Sequence, residues 1–301
     1  MPKSLIAGFA SAALVASLTG CAASDTEADE RPHVLTTFTV LQDLAQNIAG
    51  DEIVVTSITK IGAEIHGYEP TPSDVAHASD ADLILANGLG LESWFEQFTA
   101  HADAPTVVLS EGIDPIGITV GEHTGQPNPH AWMSPVAART YVANTVSAFS
   151  DLLPESASVF EQNAEEYVRE LEQIENEIEV AVDDLPAEHR LLVTCEGAFS
   201  YLARDVGLDE AFLWAVNQDD QGTPQQIASV VETVADRNVP AVFCESTVSD
   251  RAQKQVAADT GARFGGTLYV DSLSDGDPVP TYLDLLRHDV DVIVAALGAA
   301  Q

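Results

Sequence analysis

The 301-residue sequence predicts an α/β fold of two lobes, each built on a four-stranded parallel sheet, joined by a single long rigid helix. Three patterns carry that expectation. From residue 33 onward, short β-branched or apolar runs alternate with helical periods, the rhythm of strand–helix–strand units in parallel sheets. The runs fall into two sets of four. Between the sets lies one amphipathic stretch longer than a small domain is wide.

Residues 1–20 (MPKSLIAGFASAALVASLTG) start with Lys3 and continue as apolar and small residues, the pattern of a signal peptide, so they stand outside the fold. They end Leu18-Thr19-Gly20-Cys21, which resembles the lipobox of bacterial and archaeal lipoproteins, where the cysteine sulfur is lipidated and becomes the mature N-terminus. The alternative is an ordinary secretory signal that ends near a cysteine. Residues 21–32 (CAASDTEADERP) then read as a lipidated acidic tether, without the apolar content to fold. Acyl chains at about 0.8 kcal/mol per buried CH2 would hold the protein on a membrane, facing out of the cytoplasm.

The first lobe, residues 33–150, contains strands at Val34–Phe38, Ile53–Ile58, Leu83–Ala86 and Thr106–Leu109. Helices are expected at Val40–Ala49 and Ser73–Ser79, the latter with Thr71 or Ser73 as its N-cap beside Pro72. The linking helix, within residues 151–186, repeats Phe160, Ala164, Tyr167, Leu171, Ile174, Ile178 and Ala181 at steps of four and three, with glutamates on the other faces. Pro186 closes it. Residues 155–184 at 1.5 Å rise make about 45 Å, a spine along both lobes. A coiled-coil seam needs more heptads, so a monomer is expected. The second lobe, residues 187–301, contains strands at Leu191–Thr194, Ala211–Ala215, Ala241–Cys244 and Thr267–Val270, with helices at Pro224–Asp236, Asp250–Thr260 and Thr281–Arg287.

Composition narrows the function. Twelve Lys+Arg against 48 Asp+Glu give a net charge of −36, which excludes a nucleic-acid partner because phosphate binding rests on cationic side chains. Loss of Lys3 with the signal leaves −37, a charge suited either to a salt-rich exterior or simply to an acidic extracytoplasmic protein. No apolar run beyond residue 20 is long enough to cross a bilayer. Nor is there an HExxH pair, a GxSxG elbow, a GxxxxGKS loop or a CxxC pair, the local signatures of zinc hydrolases, serine hydrolases, nucleotide enzymes and redox sites.

Chemistry-bearing residues stand beside strand ends instead. His66 lies in Ile65-His66-Gly67-Tyr68-Glu69-Pro70-Thr71-Pro72-Ser73-Asp74 after the second strand, and His130 in Pro127-Asn128-Pro129-His130-Ala131-Trp132-Met133-Ser134-Pro135 after the fourth. Glu196 follows the first strand of the second lobe and Asp271 the last. Ligands of parallel sheets bind outside the carboxyl ends of strands. Two neutral imidazoles from one lobe and two carboxylates from the other carry −2, the balance of a divalent cation. Singly, a loop histidine is a solvated or hydrogen-bonded side chain and a strand-end acid is a helix cap.

Four segments in one order, HGYEPTPSDV, NPHAWMSP, TCEGAFSYLARDVGL and YVDSLSD, together with Thr36-Thr37-Phe38, DLAQNIAGD (43–51), NGLGLE (87–92) and Gly222-Thr223-Pro224, resemble the manganese/zinc-type solute-binding lipoproteins of ABC importers, also called adhesin lipoproteins. The resemblance spans residues 33 to about 298. It implies two lobes of four-stranded parallel sheets joined by one long helix, no catalysis, and His66, His130, Glu196 and Asp271 as metal ligands. It also implies an ABC permease as partner.

Two imidazoles with carboxylates form a hard donor set that suits Mn2+ or Fe2+ better than a His-rich site, whereas the Irving–Williams order favours Zn2+ in solution. Zinc-dedicated relatives carry a third histidine at the position of Glu196 and a His-rich loop, for which this chain has only Gly121-Glu122-His123-Thr124-Gly125. Mn2+ is the expected cargo, with Zn2+ and Fe2+ as alternatives. Strand alternation turns Cys195 away from whatever Glu196 faces. Cys195 and Cys244 are expected as buried free thiols, with a disulfide as the alternative. The other histidines, His33, His77, His101, His123, His189 and His288, read as surface or supporting residues. Trp132 reads as packing for the ligand loop, and Trp94 and Trp214 as core packing. Asp219-Asp220 read as a solvated turn. Two other function classes remain: a metal-dependent hydrolase with Glu245 or Asp74 as base, and a surface adhesin whose metal is structural.

Overall fold

The computed structural model describes residues 30–94, 104–217 and 222–299. The signal segment, Cys21, most of the acidic tether, His101 and Asp219-Asp220 lie outside the described residues.

The chain from His33 to Val108 alternates strand and helix. Strands β1 (His33–Thr36), β2 (Val54–Ser57), β3 (Leu83–Ala86) and β4 (Thr106–Val108) form one all-parallel sheet in the order β2-β1-β3-β4. Central β3 (Leu-Ile-Leu-Ala) is buried on both faces, as a strand covered from two sides requires, whereas β4 forms an exposed edge. Helix α1 (Thr39–Ala49) buries Leu41, Leu44, Ala45 and Ile48 on one face and stops at Gly50, whose φ of +57° turns the chain back. Helix α2 (Pro72–Ser79) begins with a capping box: the Thr71 side chain accepts from the Asp74 backbone N–H, while the Asp74 carboxylate accepts from the Thr71 N–H.

After β4 the chain forms a 3-10 turn at Ala131–Met133 and then α3 (Pro135–Leu152), capped by Ser134. The sequence reading leaves this helix out, because alanine, serine and threonine blur its apolar stripe; the Ser134-Pro135 start was its clearest signal. Helix α4 (Ala157–Asp183) runs 27 residues, about 40 Å, and buries Phe160, Ala164, Tyr167, Leu171, Ile174, Ile178 and Val182. It packs against α1 and α3. It also meets α8 (Tyr282–Leu297), where Arg287 pairs with Glu170 at 2.9 Å. The long helix is thus the common wall of both halves of the chain, and one continuous apolar core runs from Val34 to Leu297.

The second half supplies β5 (Leu191–Glu196), α5 (Ser200–Val206), β6 (Asp209–Trp214), α6 (Pro224–Arg237), β7 (Ala241–Glu245), α7 (Arg251–Thr260) and β8 (Arg263–Leu268). Its strands pair in parallel as two two-stranded sheets, β5-β6 and β7-β8, rather than as the one four-stranded sheet expected, because β5 and β7 lie side by side without a backbone ladder between them. The two pairs meet through a Cys195–Cys244 disulfide, with Cα atoms 4.9 Å apart. The free-thiol expectation is therefore corrected. The cysteines occupy facing positions on neighbouring strands, inside the Cα range that a disulfide bridges, and sequence separation alone could not reveal that adjacency. Strand β8 begins four residues earlier than expected. Gly265 belongs inside it, because a Cβ there would lie 2.4 Å from the Phe243 ring. Helix α8 continues past His288-Asp289, since buried Asp289 accepts the Tyr269 N–H at 2.9 Å.

Among the described residues, no helix is long and apolar enough to cross a membrane.

Candidate metal centre

The four sequence-selected side chains meet. One ligand atom from each of His66, His130, Glu196 and Asp271 lies within 4.8 Å of every other, and all four residues are buried. His66 Nε2 stands 3.0 Å from His130 Nε2, 3.3 Å from Glu196 Oε1 and 3.7 Å from Asp271 Oδ1. His130 Nε2 stands 3.4 Å from Glu196 Oε1. The two imidazoles come from loops after β2 and β4, and the two carboxylates from the ends of β5 and β8, so all four lie at carboxyl ends of parallel strands.

Three residues that sequence reasoning left without a role hold this set in place. Asn128 Oδ1 accepts from both the backbone N–H and the Nδ1–H of His130, at 3.0 and 2.9 Å, which leaves the Nε2 lone pair aimed at His66 and Glu196. Asn128 in turn donates across the molecule to the Gly197 carbonyl at 2.7 Å, beside Glu196. Asn217 gives its backbone N–H to Glu196 Oε1 and its amide to Asp271 Oδ2. Thr247 donates to the same Asp271 oxygen at 2.8 Å. A signal was present for Asn128, two residues before His130; Asn217 and Thr247 stand past the ends of β6 and β7 with no spacing that marks them. Trp132 packs the ligand loop as expected, its ring 5.1 Å from His130 and its Nε1–H donated to the Val270 carbonyl. Asp74 caps α2, while Glu245 accepts the Glu196 N–H through Oε2 and keeps a buried, unpartnered Oε1.

Charge is what the site has in excess. Glu196 Oε2 and Asp271 Oδ1 are buried with no hydrogen-bond partner. Orphaned carboxylate oxygens are costly unless a cation shares them. Burial drives Glu196 up to about 8. Burial pushes His66 down, but the Glu196 and Asp271 carboxylates outweigh it and hold the imidazole above its usual value. His130, desolvated, falls to about 4. Burial raises Asp271, yet the neighbouring His66 imidazole pulls it below the ordinary range. Two imidazoles and two carboxylates buried together, with carboxylate oxygens left unpartnered, form a donor set that a cation would neutralise. Its donors, two imidazole nitrogens and carboxylate oxygens, match a first-row divalent metal.

Residues 34–296 match the family described as zinc-uptake complex component A, periplasmic (ZnuA). The chain belongs to this family. It is 47% identical over 295 residues to the iron-binding protein YfeA of Yersinia pestis, covering 97% of this chain and 94% of that protein. It is 36% identical over 284 residues to the manganese-binding lipoprotein MntA of Halalkalibacterium halodurans, covering 93% and 94%. The solved Mn-bound periplasmic metal binding protein from Candidatus Liberibacter asiaticus superposes with a TM-score of 0.82 at 37% identity, covering 89% of this chain and all of that one. The periplasmic zinc binding protein TroA of Treponema pallidum gives 0.83 at 27%, over the same shares. The ZnuA relatives are named for binding and transport rather than for a reaction, and the hydrolase alternative has no support among them.

Proposed function

We propose that this ZnuA-family chain captures a divalent transition metal outside the cytoplasm and hands it to an ABC permease, with Mn2+ as its cargo ahead of Fe2+ and Zn2+. His66, His130, Glu196 and Asp271 are the ligands. The carrying observation is a buried cluster of two imidazoles and two carboxylates in which two carboxylate oxygens have no protein partner. A lipid on Cys21 and the acidic tether keep the protein at the membrane, and each of the two lobes contributes one pair of ligands.

Manganese leads because two of the four ligands are carboxylates, harder than a third imidazole. Relatives are named for iron, manganese and zinc, which supports a divalent transition metal as the cargo class. Elemental analysis of protein purified without chelator tests the reading, repeated on Glu196→Gln. One equivalent of metal in the wild type and much less in the variant is expected. A metal-free wild type that also fails to take up Mn2+, Fe2+ or Zn2+ on addition would sink it.

A further inference from the structure

Ser272 follows the ligand Asp271 and lies 2% exposed at the seam between the halves of the chain. Its hydroxyl is fully used. It accepts the Gly62 N–H at 2.7 Å, accepts from Thr39 Oγ1 at 3.4 Å and donates to the Leu273 carbonyl at 2.9 Å, which fills one donor and two acceptor positions. Gly62 belongs to the loop that carries His66. Thr39, the first residue of α1, also accepts the Leu273 N–H at 3.1 Å. Further along, Asp43 on the same helix accepts the Tyr282 N–H at 2.9 Å. The segment bearing Asp271 is therefore pinned to α1 at both ends, and one side chain on it also grips the loop bearing His66.

We propose that Ser272 is a positioning residue that couples the two ligand loops, so that Asp271 and His66 engage and let go of the ion as one unit. The coupling rests on the metal-capture reading above. An ion leaving this buried cluster needs ligands from opposite halves to separate. The Gly62–Ser272 bond lies between the two loops that must part, and it breaks in the same motion. Removing the hydroxyl leaves the Gly62 N–H and the Thr39 hydroxyl without their partner and lowers the barrier to release, while the ligand set stays intact.

The test follows Mn2+ dissociation by stopped flow into excess chelator for wild type, Ser272→Ala, Thr39→Val and Thr39→Ser, with amide exchange at Gly62 measured on the metal-free chains. Ser272→Ala is expected to raise the dissociation rate about fivefold, the effect of one lost buried hydrogen bond. Thr39→Val raises it less, and Thr39→Ser, which keeps the hydroxyl, returns it to the wild-type value. Gly62 exchange is expected to quicken in Thr39→Val, although the Thr39 hydroxyl bonds Ser272 and Leu273, not Gly62. Should Ser272→Ala fold poorly, the two Thr39 variants carry the comparison. A dissociation rate unchanged in Ser272→Ala while Gly62 exchanges faster makes the bond merely structural and overturns the coupling. A wild type that retains no Mn2+, Fe2+ or Zn2+ overturns the metal reading instead. In that event Gly62 exchange that does not respond to Thr39→Val overturns the link between the loops on its own.

Discussion

Asn128 chooses the nitrogen that His130 presents. By taking the Nδ1–H, it fixes the tautomer whose Nε2 lone pair faces Glu196 and His66. Asn128→Ala is expected to cost about 10- to 100-fold in metal affinity with the fold intact, the usual effect of losing such a partner; an isotherm matching wild type would refute the role. His66→Ala or Asp271→Ala should abolish tight binding, and unchanged stoichiometry in either would remove the assignment. Proton linkage has a definite sign. Glu196, pushed up to about 8 by burial, holds a proton near neutrality in the metal-free protein, whereas ligation requires its carboxylate bare. Affinity should therefore fall as pH drops below about 8, and binding at pH 7 should release protons, read by calorimetry in buffers of different ionisation enthalpy. No release would contradict it. The four converging residues were legible because the segments around them resemble one family in one order; strand ends alone mark Glu196 and Asp271, whereas His66 and His130 stand nine and 22 residues past β2 and β4. Asn217 and Thr247 were not, because a hydrogen-bonding side chain has no spacing rule to mark it.

At the scale of elements, legibility tracks periodicity. Helix α4 stands out in the sequence because heavy apolar residues repeat against glutamate. Helix α3 is hidden because small residues occupy its buried and exposed faces alike. The strand expected from Thr267 leaves out Gly265 and Gly266, although Gly265 makes room for Phe243 and Gly266 for Val292 inside β8. The tie between α1 and α8 gives a pH prediction. Burial raises Asp43 to about 6, even though its bond from Tyr282 pulls the other way. The folded chain thus holds this proton more tightly than the unfolded one, and the contribution to stability is present in acid and lost as pH rises from about 4 to about 6. Asp43→Asn keeps an acceptor and removes the titration. Its thermal midpoint should gain on wild type across that interval, and a constant difference would refute the assignment. On α4, Leu171→Ala empties a fully buried position and should cost about 2–5 kcal/mol in denaturant unfolding.

At the scale of the whole molecule, a single helix against both halves and one shared core favour small tilts over wide closure. X-ray scattering with and without Mn2+ should give nearly superimposable profiles; a large compaction would count against this. Such an arrangement confines the adjustment on loading to the loops around the ion, so the apolar core need not repack each time cargo comes and goes. The high negative charge should make thermal stability climb with salt from about 0.1 to about 1 M as screening shortens, and a maximum in dilute buffer would argue against it.

The stitch between β5 and β7 bears on where the chain can mature. Its cysteines lie 49 residues apart, and closing a loop of that size restricts the unfolded chain by about 4 kcal/mol. A cytosol rich in glutathione withholds that reinforcement, while an oxidising exterior supplies it. Export would then do more than deliver the polypeptide to its post: it supplies the covalent bond that joins β5 to β7, one residue away from Glu196.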